Sequence, residues 1–346
     1  MTTSKRYTAE YLRGVSRRLF AASGAPDDIA ATVAEILVNA NLAGHDSHGV
    51  QFVPMYLDRI EDGHIVSDAY PEIVRESANT MHVDGHSGFG HNMSRQAMEW
   101  AIERARQSAV CCVTFQNTTH IGRVGEYAEQ AARAGCITLI TLGGASAAGS
   151  QVVPFGGARG ALGTNPIAVG IPTGDDAPFM IDFATSVIAG GKILVARSKG
   201  LELPQGAIVD KHGHPSTQPE DFADGGFLLP FGGHKGYALS LFFSLMGGLA
   251  GDFNAELTSM AGLFMQVYDV AAFTHLENYQ RNVRTVLDAM KTTPPAPGFE
   301  EVLVPGDMEH RSRQQRLAEG IDVPADTFDK IEVWADKLNV SLAEED

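Results

Sequence analysis

Residues 7–70 carry apolar positions at helical spacing. One run, Tyr7 to Ser23, stops at Gly24. A second starts at Pro26-Asp27-Asp28, places Ile29, Val33, Ile36 and Leu37 on one face, and stops at Gly44. A third, Val50 to Asp62, precedes Gly63. Beyond these the pattern changes. Short apolar runs at 72–76, 79–84, 109–115, 136–142, 166–171 and 178–183 predict strands, and stretches at 92–107, 124–134, 187–199 and 236–250 predict helices. Such alternation predicts an α/β layer. From residue 274 the chain is again mainly helical, and its proline-rich interruption TTPPAPGFEEVLVPGD predicts a loop with a short strand. The terminal helices are expected to pack together as a mainly helical domain (1–72 with 275–346), with the α/β domain (73–274) inserted between them. There is no internal repeat and no low-complexity tract.

Composition adds boundaries to this picture. The chain has 346 residues, 44% hydrophobic and 20% charged, enough for a sizeable core in one large or two modest domains. Its formal net charge of -16 repels phosphate backbones and argues against nucleic-acid binding. An anionic substrate would need a local pocket of cations or backbone donors. The three cysteines, Cys111, Cys112 and Cys136, lie in strand-like apolar runs. An odd count with two adjacent gives no disulfide framework, so they read as small core residues in a reducing compartment. The N-terminus MTTSKRYTAEYLRG lacks an apolar leader. The most apolar stretch, Tyr237 to Ala250, is too short to span a bilayer and reads as a buried helix. A cytoplasmic protein without membrane contact is expected.

Glycine-rich segments are the first candidates for chemistry. GHSGFG (85–90) and GGARGALG (156–163) have the wrong spacing for a Rossmann or P-loop phosphate site. PFGGHKGYAL puts three glycines, His234 and Lys235 directly before an apolar helix, which suits an anion cradle or, equally, a tight turn. HDSHGV (45–50) crowds two histidines, an aspartate and a serine after a helix end. They either cap that helix or poise a histidine for proton transfer. NTTHIGRVGEYAEQAA (117–132) sets His120 and Arg123 in a polar loop at a strand end, where ligands sit in α/β layers. Asp182, in FMIDFATS, ends an apolar run, so it must be paired, orient a histidine, or cap a helix with Thr185 or Ser186. Among twelve histidines there is no zinc or calcium signature. A zinc site from His45, His48, His86 and His91 is the alternative to the expectation of no metal.

In this order HDSHGV, NTTHIG, GTNPIAVGIP, DFATS, GGKILVARSKG, PFGGHKGYALSL and VPGD resemble the malate/L-sulfolactate/L-lactate dehydrogenase family, the type-2 malate/lactate dehydrogenases. The likeness runs over roughly residues 5–345 and looks closest to the hydroxycarboxylate dehydrogenase branch. It implies the family's own nicotinamide-binding fold, not a Rossmann domain, with a mixed sheet and a separate helical domain, in a homodimer. It implies a proton relay of Ser47 and His48 with Asp182, and His120 facing it from the opposite loop. Cofactor contacts to NAD or NADP would come from His120, Ile121 and Gly122; from Thr164, Asn165 and Pro166; from Asp182, Phe183, Ala184 and Thr185; from His234, Lys235 and Gly236; and from Pro305, Gly306 and Asp307. Many members carry an arginine four residues after His48; here Phe52 stands there. Arg123 is then the expected clamp on the substrate carboxylate, with Phe52 and Thr164 lining the substrate pocket. Lys192, Arg197 or Lys199 could read a ribose phosphate. The implied reaction is hydride transfer between a nicotinamide and a small 2-oxo or 2-hydroxy acid. The rivals are a cyclic imino acid (piperideine-2-carboxylate) reductase or ureidoglycolate dehydrogenase, a silent nucleotide-binding scaffold, and a metal-dependent hydrolase.

Overall fold

The computed structural model describes residues 4–343 apart from 199, 252, 255, 257 and 258. The chain opens with β1 (Ser4–Tyr7), α1 (Ala9–Ala22), α2 (Asp27–Leu42) and α3 (Val53–Glu61). The α/β part follows: β2 (Glu72–Glu76), β3 (Thr80–Asp84), α4 (Gly90–Ser108), β4 (Val110–Gln116), α5 (Gly125–Arg133), β5 (Cys136–Ser146), β6 (Ile167–Ile171) and β7 (Phe179–Phe183). A more irregular stretch carries α6 (Gly190–Ser198), β8 (Ile208–Val209), β9 (Pro215–Ser216), α7 (Pro219–Ala223) and β10 (Phe227–Leu228). Then come α8 (His234–Gly247), β11 (Phe253–Asn254), β12 (Ser259–Asp269), α9 (Leu276–Lys291), α10 (Asp307–Glu319), β13 (Ile321–Pro324) and α11 (Ala325–Leu338).

The main sheet runs β2-β3-β4-β12-β5-β6-β7, with β11 paired to β12. Among the described residues of this sheet only β3 and β4 pair in parallel; the other neighbouring pairs are antiparallel, so the sheet is mixed. Its apolar faces bury Val83, Val113, Ile140, Ala168, Met265 and Val267 against α4 and α5. A second core joins the two ends of the chain: Leu12, Leu19, Ile29, Val33, Leu37 and Tyr56 pack with Ile321, Ile331 and Trp334. A small third core around Val152, Leu162, Ile208 and Leu228 supports the three-stranded order β10-β8-β9.

The six strands and four helices expected between 72 and 250 are all present, displaced by a few residues at their ends. Three differences have physical causes. The central strand β12 is not visible in the local pattern, because it is flanked by β4 and β5 and covered by α4 and α8. Burial on both faces removes the alternation that marks a half-buried strand. The expected strand in 292–307 is absent; the C-terminal strand is β13, which pairs with β1. Proline-rich backbone lacks donors for a ladder, whereas Ile321 and Val323 find a partner across the termini. Finally, α8 begins at His234, so its first turn belongs to the glycine segment. Cys111 and Cys136 are buried, Cys112 is partly exposed, and all three are free. Among the described residues no helix is long and apolar enough to cross a membrane.

Candidate active site

The HDSHGV loop is held from behind. Asn41, near the end of α2, donates from Nδ2 to Asp46 at 2.7 Å and accepts the Val50 N–H at 2.8 Å. Glycine is required at 49, since a Cβ there would lie 2.1 Å from Asn41 Oδ1. Arg316 on α10 grips the Asp46 carboxylate with two N–H groups, at 2.5 and 2.9 Å. The loop thereby presents Ser47 and His48, whose Oγ and Nδ1 lie 3.0 Å apart.

The second loop leaves β4 at Asn117, whose amide donates to both Asp84 oxygens at 2.9 Å. Thr119 donates to the Gly88 carbonyl at 2.7 Å and accepts the Gly90 N–H at 2.9 Å. Tyr127 donates to the Ile121 carbonyl at 2.5 Å. These contacts carry His120 to His48: the two imidazole centroids are 5.9 Å apart and 20° from parallel. Phe52 stacks on His120 at 4.9 Å, and the Tyr56 hydroxyl lies 2.5 Å from its Nδ1. Tyr56 was not singled out from sequence, and His91 only as a zinc candidate. The signal for Tyr56 is its spacing: it follows Phe52 by four residues, and the two rings stack at 5.5 Å where the chain enters α3.

Burial, then the charges of His45 and Arg123, push His48 down from 6.5 to about 4. Burial, then His48 and Arg59, push His120 down to about 4 as well. Both rings are therefore neutral at pH 7. Because the folded values lie below the unfolded one, the unfolded chain binds more protons between pH 6.5 and 4. Stability is full above about pH 6.5 and falls as pH drops toward 4, by up to ~3 kcal/mol per ring. Urea titrations at pH 7.5 and 5 should show a lower midpoint at pH 5; a His48→Gln, His120→Gln double variant should lose much of that difference.

Two expectations need correction. Asp182 makes no hydrogen bond to Ser47 or His48 among the described residues. Its carboxylate accepts the Gly125 N–H at 2.8 Å and faces Arg123 at 3.6 Å. Burial raises its pKa against the opposing pull of Arg123. Arg123 is not an open carboxylate clamp either: it is 1% exposed, donates to Glu129 at 2.8 Å and lies 3.8 Å from Glu126. A guanidinium so enclosed by carboxylates is an internal counter-ion that ties the HIGR loop to β7 and α5. Arg59 on α3 is exposed, and it is the positive charge outside the buried cluster that acts on His120.

The glycine segments assemble beside this pair. The Thr185 N–H and hydroxyl both donate to the Thr164 carbonyl, at 2.8 and 3.0 Å, and the Phe231 N–H donates to Thr185 O at 2.9 Å. This joins the loops around Pro166, Ala184 and Phe231. Asn165 is spent on structure: its Nδ2 donates to Ser240 Oγ at 2.7 Å and Ser244 Oγ at 3.1 Å, and its Oδ1 accepts the Gly144 N–H at 2.8 Å. Asn165 and Thr185 therefore shape the cradle and do not offer side chains to a ligand. The first turn of α8 has no side-chain cap, and His234 and Lys235 are exposed there ahead of buried Gly236. A Cβ at Gly190 or Gly232 would meet nothing within 4 Å, so both backbones border open space, and Gly191 touches Ser47 at the start of α6. Phe183 is exposed beside Phe231, 5.7 Å away. The uncapped N-terminus of α8, glycine backbone and exposed cations suit a dinucleotide phosphate. The VPGD turn is occupied elsewhere: Pro305 O accepts the Met180 N–H at 3.3 Å, and Asp307 binds Lys291 at 2.8 Å, fastening α9 and α10 to β7. His45 faces Glu309 and His86 faces Glu72, and no metal-holding group of three acidic, histidine or cysteine side chains occurs among the described residues. Of the candidate ribose readers, Lys192 is exposed, Arg197 faces Glu220 at 3.9 Å, and Lys199 lies outside the described residues.

The family profile described as malate/L-lactate dehydrogenase matches residues 7–332. The chain belongs to the malate/L-lactate dehydrogenase family. Hydroxycarboxylate dehydrogenase B of Escherichia coli O157:H7 is 32% identical over 359 residues, covering 96% of this chain and 94% of the relative. The malate dehydrogenase structure from Entamoeba histolytica matches at a TM-score of 0.92 and 29% identity, covering 99% of this chain and 100% of that one. The sulfolactate dehydrogenase structure from Methanocaldococcus jannaschii matches at 0.89 and 30% identity, covering 98% of both chains.

Proposed function

We propose that this family member transfers a hydride reversibly between a nicotinamide dinucleotide and C2 of a small 2-hydroxy acid, with His48 as the proton acceptor and donor. The observation that carries this reading is the facing of His48 and His120 at 5.9 Å beside a glycine-lined cradle. The nicotinamide, when bound, supplies or accepts the hydride. The start of α8, with Lys235, and the Gly190–Gly191 turn would hold its phosphates. In oxidation, neutral His48 takes the hydroxyl proton, and Ser47 on Nδ1 leaves Nε2 as the reactive nitrogen. In reduction, the substrate's negative charge raises the His48 pKa from about 4 and allows it to carry the proton. Arg59, three residues beyond Tyr56 on α3, draws the carboxylate in, and Phe52 gives the side-chain pocket an aromatic wall. That wall favours 2-oxo acids with apolar or aromatic groups over the dicarboxylates and sulfonates in the relatives' names.

NADH and NADPH oxidation with pyruvate, oxaloacetate, phenylpyruvate, hydroxyphenylpyruvate and piperideine-2-carboxylate tests this reading. Turnover should be highest with the aromatic 2-oxo acids. Turnover of the cyclic imine alone would transfer the protein to imine reduction, and turnover of none would remove the reading.

The single parallel pair in the sheet supports a nicotinamide-binding fold distinct from the doubly wound one, inserted between the terminal helices. We also assign a homodimer. Leu239, Phe242, Leu245, Leu249 and Phe253 lie along α8 and just beyond it, and are 41–58% exposed. A continuous apolar row of this kind marks a protein interface. Light scattering should give twice the chain mass, and a Phe242→Asp, Leu245→Asp variant should give the single chain. Free thiols support a reducing, cytoplasmic setting.

A further inference from the structure

Behind His120 lie two polar rings with no assigned role. Tyr56 and His91 are both 0% exposed. The Tyr56 hydroxyl lies 2.5 Å from His120 Nδ1 and 3.4 Å from His91 Nε2, and His91 Nδ1 has no hydrogen-bond partner. A phenylalanine would fill position 56 without burying a hydroxyl, so the hydroxyl needs a reason. The rings are also tightly seated. A Cβ on Gly122 would come within 2.6 Å of His91 Nε2, and Phe52 covers the His120 face at 4.9 Å.

Two hydrogen-bond directions satisfy both contacts and use the Tyr56 O–H; a third, with both imidazoles donating to the phenol oxygen, would leave that buried O–H without an acceptor. In one, His91 Nε2–H donates to Tyr56, and Tyr56 O–H donates to His120 Nδ1. In the other both bonds reverse, and His91 must carry its proton on Nδ1, where no acceptor exists. Buried N–H groups without an acceptor are rarer than buried acceptors without a donor. The distances agree, since O–H donors make shorter bonds than N–H donors and the short contact here is the one to His120. Burial raises the Tyr56 pKa well above 10, so the phenol keeps its proton.

We infer that Tyr56 is a positioning residue that donates to His120 Nδ1 and so fixes this imidazole as the tautomer with its proton on Nε2. The two facing histidines then differ in kind. His120 is a fixed N–H donor, suited to hold a carbonyl or carboxamide oxygen. His48, whose Nδ1 partner is a serine hydroxyl able to donate or accept, is the one free to exchange a proton. This role rests on the proposed function, but the tautomer is a property of the free protein and is measured without turnover.

Long-range proton–nitrogen NMR of histidine-labelled protein at neutral pH, assigned with His120→Gln, tests it. The wild type should show His120 unprotonated at Nδ1 and protonated at Nε2. Tyr56→Phe should give mixed tautomers and a kcat roughly ten- to a hundred-fold lower, with cofactor KM unchanged. A proton on His120 Nδ1 in the wild type overturns the inference, as does a Tyr56→Phe variant with unaltered tautomer or unaltered kcat. The wild-type spectrum decides the tautomer even where that variant does not fold. A fixed Nε2–H tautomer in a protein that turns over no 2-oxo acid would leave the hydrogen-bond assignment standing and sink only the proposed reaction.

Discussion

His48→Ala is expected to lower kcat by about a hundred-fold or more while NADH or NADPH still binds. The variant removes the ring that moves the proton and leaves its frame intact. Asn41, Asp46 and Arg316 fasten the loop without using the imidazole. The cradle at α6 and α8 is likewise untouched. Steady-state rates on the best 2-oxo acid, with a fluorescence titration of the cofactor, check both halves. Near-normal turnover would strip His48 of its role; loss of cofactor binding would mean that the ring serves the cradle.

Arg123→Met is expected to cost about 3–5 kcal/mol of stability, the largest effect of any single substitution proposed for this chain. Arg123 is the counter-ion for Glu129 and Asp182, and Glu126 lies at ion-pair distance too. Its removal leaves buried carboxylates facing one another, with Arg313 and Arg133 able to relieve only Glu129. Urea unfolding should show a lower midpoint at an unchanged slope. A substrate clamp would behave differently: stability would hold and only the substrate KM would rise. The same experiment therefore separates the internal counter-ion from the clamp that the sequence suggested.

Local signals were legible in the sequence and directional ones were not. The helices of 7–62 and the strands of 72–183 announce themselves by spacing and by the glycines that end them. His48 and His120 were identifiable as candidates because polar residues crowd into short loops at element ends, and the fold does bring them face to face. Arg123 shows the limit. Its position in a polar loop fits a ligand contact, but two residues later the chain enters α5, which carries Glu126 and Glu129 and turns the guanidinium inward. Asp182 followed the same logic: a carboxylate at the end of an apolar run had to be paired, and the nearest cation was Arg123, not a histidine. Asn165 looks like a ligand residue in GTNP, yet its partners Ser240 and Ser244 come from a helix far along the chain, and no local pattern reveals them.

The late arrival of β12 has a consequence for biogenesis. Until residue 269 has left the ribosome, β4 and β5 each expose an unpaired edge, because the strand that zips them together is among the last parts of the sheet to be made. The nascent chain therefore carries two half-sheets with sticky borders from the completion of β5 until β12 emerges, a state open to association with its neighbours. Refolding from denaturant must close the same long loop, so it should be slow and yield-limited at high protein concentration.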